Sequence, residues 1–182
     1  MTRLFLTLLL VFPFFASAEV SSCRLLKKRA TTTEALTTNP DLILIGKAER
    51  KLMLFSRGRA LKQYHVSLGP NPVGTKIKSG DGKTPEGTYF VESKNPQSSF
   101  HLALRVSYPN KMDLVRAEKL NVDPGGDIMI HGFPNNVEYN QRATLNHNSS
   151  ANWTEGCIGL TNSEIEEIFS RIVEDTPIVI CP

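Results

Sequence analysis

From Asp41 onward no apolar run in the chain exceeds the length of a β-strand, and this most limits the fold available to it. Asp41-Leu42-Ile43-Leu44-Ile45-Gly46 is one such run, and Lys51-Leu52-Met53-Leu54-Phe55-Ser56 is the next. Arg57-Gly58-Arg59 then marks a hairpin tip leading into Ala60 to Leu68, where Tyr64, Val66 and Leu68 alternate with polar positions. Thr88 to Glu92, Leu102 to Val106 and Pro177 to Cys181 continue the pattern. Regular alternation of strand and helix is missing, which argues against a parallel α/β sheet and for a mainly β chain with few helices, a β-sandwich or barrel-like core. Two helices are expected. One covers Asp113 to Leu120, with Met112 or Asp113 near its start. The other follows the capping box Thr161-Asn162-Ser163-Glu164, with Ile165, Ile168, Phe169 and Ile172 on one face, packed against the sheet behind Cys157.

Residues 1–18 stand apart. Arg3 precedes an apolar stretch from Leu4 to Phe15, broken only by Thr7, that ends in Ala16-Ser17-Ala18, the pattern of a secretory signal peptide and too short for a good membrane span. Val20-Ser21-Ser22-Cys23 loosely resembles a lipobox, so a lipoprotein anchored through Cys23 is the alternative to ordinary cleavage. Residues 19–40, with Arg24, Lys27, Lys28 and Arg29 in a Thr-rich stretch, read as a flexible tether, and residues 41–182 as the folded domain. Its 40% hydrophobic content suffices for one core. The net charge of +3 falls to +2 without Arg3, too weak a balance to indicate nucleic acid.

The chemistry concentrates in Ile128-Met129-Ile130-His131-Gly132 and Trp153-Thr154-Glu155-Gly156-Cys157-Ile158-Gly159-Leu160. Each stretch puts a reactive side chain at the edge of a short apolar run, so both read as strand ends opening on one site. A thiol attacks as its thiolate, and an imidazole within reach can take the proton, so Cys157 and His131 are the candidate pair. Gly156 permits a sharp turn, after which the N–H groups of Gly156 and Cys157 would face a developing oxyanion. Three cysteines leave one unpaired in any oxidised arrangement. A Cys23–Cys181 bridge would leave Cys157 free, but sequence does not decide it.

These residues resemble the YkuD-type L,D-transpeptidase signature, His-Gly followed downstream by Ser/Thr-His-Gly-Cys. Glu155 replaces the second His, and Gly159 stands where Arg is common. The Trp-Thr-x-Gly-Cys-Ile form, with Gly126-Asp127-Ile128-Met129-Ile130-His131-Gly132-Phe133-Pro134-Asn135 before it, is similar to the divergent YafK-like branch. Ser79 to Gly87 and Asn95 to His101 extend the likeness, which covers roughly Asp41 to Ile180. The resemblance implies a β-sandwich and an exported cysteine acyltransferase acting on peptidoglycan stem peptides. In it, Cys157 forms a thioester and His131 moves the proton, with neither metal nor nucleotide. A wall-attached lipoprotein would be a further partner. The outcome stays open between transfer to an amine and hydrolysis, and a wall-binding module without activity is the non-enzymatic alternative. Thr154, Gly132, His101 and Arg105 are candidate substrate contacts. Arg105, Lys83 or Arg142 would replace the missing motif arginine.

Other features have plainer readings. Gly69 to Gly87 is a Gly/Pro-rich loop long enough to wall the site. Within it, Gly69-Pro70-Asn71-Pro72-Val73-Gly74-Thr75-Lys76 misses a phosphate-binding loop, because its prolines remove N–H donors. His65 reads as structural, and so does His101 on its residues alone. His147 falls in the polar stretch Asn146 to Asn152, which reads as a mobile flap over the site. His131, His147, Glu155 and Cys157 lack zinc-ligand spacing. Glu155 is expected to point to solvent, because the turn at Gly156 would aim consecutive side chains apart.

Overall fold

A computed structural model of the chain describes residue 23, residues 38–148 and residues 151–182. The expected signal peptide lies outside the described residues, and so does nearly all of the expected tether. Eight strands run β1 (Leu42–Gly46), β2 (Lys51–Ser56), β3 (Arg59–His65), β4 (Gly87–Ser98), β5 (His101–Val106), β6 (Met129–His131), β7 (Ile158–Gly159) and β8 (Pro177–Cys181). Their spatial order is β3-β2-β1-β8-β4-β5-β6-β7. β4 joins the two halves. Its residues Gly87 to Phe90 pair with β8, while Val91 to Ser98 pair with β5 through two register irregularities. The two ends of this order also meet, because Ser67, just past β3, exchanges backbone hydrogen bonds of 2.9 and 2.8 Å with Gly159 of β7. Closing the sheet in this way leaves no long unpaired edge at the site.

The continuous apolar character of β1 and β2 follows from burial on both faces. Ile43, Ile45, Leu52 and Leu54 enter the main core with Val91, Leu104, Ile130, Ile158, Ile165 and Ile178. Leu44, Met53 and Phe55 point the other way, into a second cluster with Ala60, Cys23 and Cys181. There the Cys23–Cys181 disulfide settles the cysteine arithmetic and leaves Cys157 free. In this arrangement the Cys23 sulfur is bonded to Cys181, whereas the lipoprotein alternative would use it in a thioether.

Three helices occur among the described residues. α1 (Lys111–Lys119) starts earlier than expected, because Asn110 caps it and forms a capping box with Asp113. α3 (Asn162–Arg171) has the expected Thr161–Glu164 capping box and packs its buried Ile165 and Ile168 over β5 and β6. The third, α2 (Val137–Asn148), was not expected. It carries no apolar stripe; Asn136 starts it by accepting from the N–H groups of Glu138 and Tyr139 at 3.1 and 3.2 Å.

The long loop between β3 and β4 is built around buried charges. Lys47 Nζ donates to Gly74 O, Thr84 O and Glu86 Oε1 at 2.7, 2.9 and 2.7 Å. Asp81 accepts from the N–H groups of Ile77, Lys78 and Lys83 and pairs with Lys76 at 3.0 Å. So anchored, the loop presents fixed backbone to the turn before Cys157.

Candidate active site

β6 and β7 are parallel, with Ile130 opposite Ile158 and His131 opposite Gly159. Ile130 and Ile158 are fully buried in the core. Strand alternation therefore sends Met129, His131, Cys157 and Gly159 to the other face, which places the imidazole and the thiol on one side of two adjacent strands.

The turn that carries Cys157 is fixed by backbone contacts. Gly156 has φ +129°, open in practice only to glycine, and a Cβ there would lie 2.6 Å from Lys83 O. Thr84 Oγ1 donates to Gly156 O at 2.8 Å, and Gly69 packs so tightly on Gly82 and Gly156 that no side chain fits at 69. The loop from Gly69 to Gly87 is thus a wall of the site, as expected. Thr154, expected as a substrate contact, is buried and serves the turn: its Oγ1 donates to Cys157 O at 2.8 Å and accepts from Gly156 N at 3.2 Å. The Gly156 N–H is therefore engaged within the protein and does not face an oxyanion as expected.

The sulfur meets a second set of main-chain atoms that sequence did not reveal. Cys157 Sγ donates to Asp127 O at 3.4 Å, and the Met129 N–H donates to the sulfur. Burial pushes the thiol up; Met129 and the Lys76 ammonium pull it down, and the Asp127 carboxylate adds to the rise. His131 is 4% exposed, its ring 4.5 Å from that of Phe100 and 5.5 Å from that of Trp153. Its Nδ1 lies 2.7 Å from Gly132 O. A carbonyl only accepts, so Nδ1 carries the hydrogen and Nε2 is left as the base. Burial lowers the imidazole to about 4, the Gly132 carbonyl opposing this more weakly. Burial thus favours the uncharged form of both the thiol and the imidazole.

A profile of the YkuD family, the L,D-transpeptidase catalytic domain, matches residues 40–180. The chain belongs to this family. The candidate L,D-transpeptidase YafK of Escherichia coli K12 is 28% identical over 166 residues, which are 84% of this chain and 58% of that protein. Among solved structures, the helical cell shape determining protein Pgp2 of Campylobacter jejuni superposes with a TM-score of 0.56 at 23% identity, over 89% of this chain and 55% of that one. Bdellovibrio bacteriovorus Bd1075 gives 0.53 at 26%, over 83% and 51%. The Xylanimonas cellulosilytica L,D-transpeptidase gives 0.50 at 12%, over 81% and 63%. The chain thus spans less than two thirds of the length of each, and the fold is the YkuD-type β-sandwich.

Within that family pattern, both departures of this chain have a structural counterpart. Glu155 is exposed, as expected. Gly159 lies beneath the Trp153 indole, and a Cβ at 159 would overlap that ring. The space an arginine side chain would leave through is occupied by tryptophan, which in turn contacts His131. The three proposed substitutes for that arginine are spread apart. Arg142 is exposed on α2, 3.9 Å from Glu138; Lys83 Nζ donates to Val73 O at 2.9 Å; Arg105 is paired with Glu92 and Asp127. Lys76, not singled out from sequence, is the lysine whose charge reaches the thiol.

Gly132 offers its carbonyl to His131, with no room for a side chain between Asn162 and Ile165. His101 sits beside Gly132 but is paired with Glu166 of α3 at 2.6 Å. His147 corrects the flap reading: it is buried on α2, with Nδ1 3.1 Å from Ser67 Oγ and Nε2 4.0 Å from Glu164. His65 lies against it, ring centroids 5.1 Å apart. Residues 149–150 of the supposed flap lie outside the described residues. Among the described residues no group of three or more His, Cys, Asp or Glu could hold a metal ion, and no helix is long and apolar enough to cross a membrane.

The depressed His131 predicts a pH-dependent stability. An unfolded histidine titrates near 6.5 and this one near 4, so between these values the unfolded chain binds a proton the folded one refuses. Stability should be unaffected by His131 above pH 6.5 and fall as pH drops toward 4, by roughly 3 kcal/mol. Urea unfolding of wild type and His131→Gln across this range measures it. Parallel pH curves for the two proteins would refute it.

Proposed function

We propose that this protein is an exported cysteine acyltransferase of the L,D-transpeptidase type, acting on peptidoglycan stem peptides. The support for the proposal is that strand alternation puts His131 and Cys157 on one side of the adjacent strands β6 and β7, with His131 Nδ1 engaged by Gly132 O so that Nε2 is left as the base. Cys157 Sγ attacks the carbonyl of the stem-peptide diamino acid. The thiol proton passes to His131 Nε2 and then to the nitrogen of the departing D-residue, so that the amide C–N bond breaks as the thioester C–S bond forms. An acceptor amine next gives its proton to Nε2, attacks the thioester and restores the thiol. Burial favours the uncharged form of both groups, which suits proton transfer that accompanies attack. The Cys157 N–H is the main-chain donor we assign to the oxyanion, a contribution of about 3 kcal/mol. The Cys23–Cys181 disulfide supports export, since such bonds persist in oxidising compartments.

Water in place of the amine would make the enzyme a hydrolase that releases cross-links or wall-bound lipoprotein. Incubation of the protein with purified muropeptides, read by mass spectrometry, separates the outcomes: a new amide indicates transfer, a shortened stem alone indicates hydrolysis. A carbapenem should acylate Cys157 in a parallel intact-mass experiment. Unchanged muropeptides together with an unmodified Cys157 would leave a wall-binding module as the better reading.

A further inference from the structure

The bend that leads into β6 treats the two protonation states of Cys157 differently. Asp127 O accepts from the thiol, whereas the Met129 N–H can serve the thiolate. Asp127 holds φ +55°, a left-handed conformation that a non-glycine residue keeps when its surroundings fix it. Arg105 supplies that restraint. Its Nη1 meets Asp127 Oδ1 at 2.6 Å while its Nε is held by Glu92 Oε2 at 2.7 Å. Arg105 also stands opposite Met129 in the β5–β6 register, so the cation and the sulfur-facing amide belong to neighbouring strands of one sheet.

We propose that Arg105 is a positioning residue for the nucleophile, which clamps Asp127 so that the bend cradles Cys157 Sγ and which neutralises the carboxylate beside the sulfur. The proposal rests on Cys157 being the nucleophile and gives Arg105 a role other than direct substrate contact. The charged and titratable groups around the thiol are Lys76 from the long loop, Asp127 from the bend, His131 from β6 and the solvent-directed Glu155 from the turn. Arg105 and Glu92 stand behind Asp127. Of these, Asp127 is the anion that opposes the thiolate, and Arg105 is the cation bonded to it.

The test is the rate of Cys157 alkylation by iodoacetamide as a function of pH, followed by intact mass with the disulfide in place. Arg105→Gln should move the reactivity midpoint up by about half a pH unit, roughly a threefold slower reaction at a fixed pH below it. Arg105→Lys should recover part of the shift. Asp127→Asn, which tolerates the left-handed backbone, should move the midpoint down. In the Asp127→Asn background, Arg105→Gln should add no further shift. Superimposable curves for wild type and Arg105→Gln would overturn the proposal, and so would an undiminished Arg105→Gln shift in the Asp127→Asn background. The measurement needs no peptidoglycan. A protein inert toward muropeptides that shows these shifts keeps the proposal, and one that transfers acyl groups with an unmoved Arg105→Gln curve loses it.

Discussion

Cys157→Ser is expected to abolish acyl transfer while leaving the fold intact. The hydroxyl can occupy the place of the thiol and donate to Asp127 O in its stead, so the turn loses no packing. Chemistry suffers instead. A serine hydroxyl stays protonated at neutral pH, and a His131 lowered to about 4 is too weak a base to offset this. Turnover should fall on the order of 10³-fold or more, with the urea midpoint within experimental scatter of wild type. Cys23→Ser should show the reverse pattern, with turnover kept and stability lowered by loss of the bond to Cys181. Wild-type turnover in Cys157→Ser would remove the nucleophile assignment.

Gly156→Ala should damage both stability and activity. At φ +129° an L-residue costs about 1–3 kcal/mol, and here the added methyl would also meet Lys83 O at 2.6 Å. That oxygen is main chain, held in a loop tied down through Lys47 and Asp81, so it cannot step aside as a flexible side chain would. The turn must yield, and the Thr84–Gly156 hydrogen bond goes with it. We expect a loss of about 2–4 kcal/mol in denaturant unfolding. Acyl transfer should drop on the order of 10²-fold, since a displacement near 1 Å at the nucleophile suffices for that. A variant with wild-type turnover would mean that the turn does not set the position of the sulfur.

Sequence disclosed most of the sheet because β1, β2 and β8 are buried on both faces and so appear as unbroken apolar runs. The far half of β4 was hidden. Lys94, Asn95, Pro96 and Gln97 look like a loop, and pairing of Lys94, Asn95 and Ser98 with β5 draws the segment into the strand. α2 was hidden for a different reason, since Ala143 and His147 are too few buried positions to set up a helical period, and its start depends on one Asn side chain. At the site, Cys157 and His131 were legible as residue types in a motif. Their cradle was not, because a carbonyl at 127 and an amide at 129 belong to every residue and gain a role only from the bend that aims them. Nor could spacing show that Thr154 would turn inward, or that Trp153 would fill the space above Gly159.

The position of β8 bears on how such a chain can be made. Residues 177–181 come latest in sequence among the described strands, yet they lie between β1 and β4, where they pair with both. Until they emerge, a ribosome-bound chain holds an N-terminal meander and a C-terminal half with no strand between them, each lacking a partner for part of its apolar surface. Completion of the sheet therefore waits on contacts distant in sequence, which form slowly and leave the two halves open to chaperone capture beforehand.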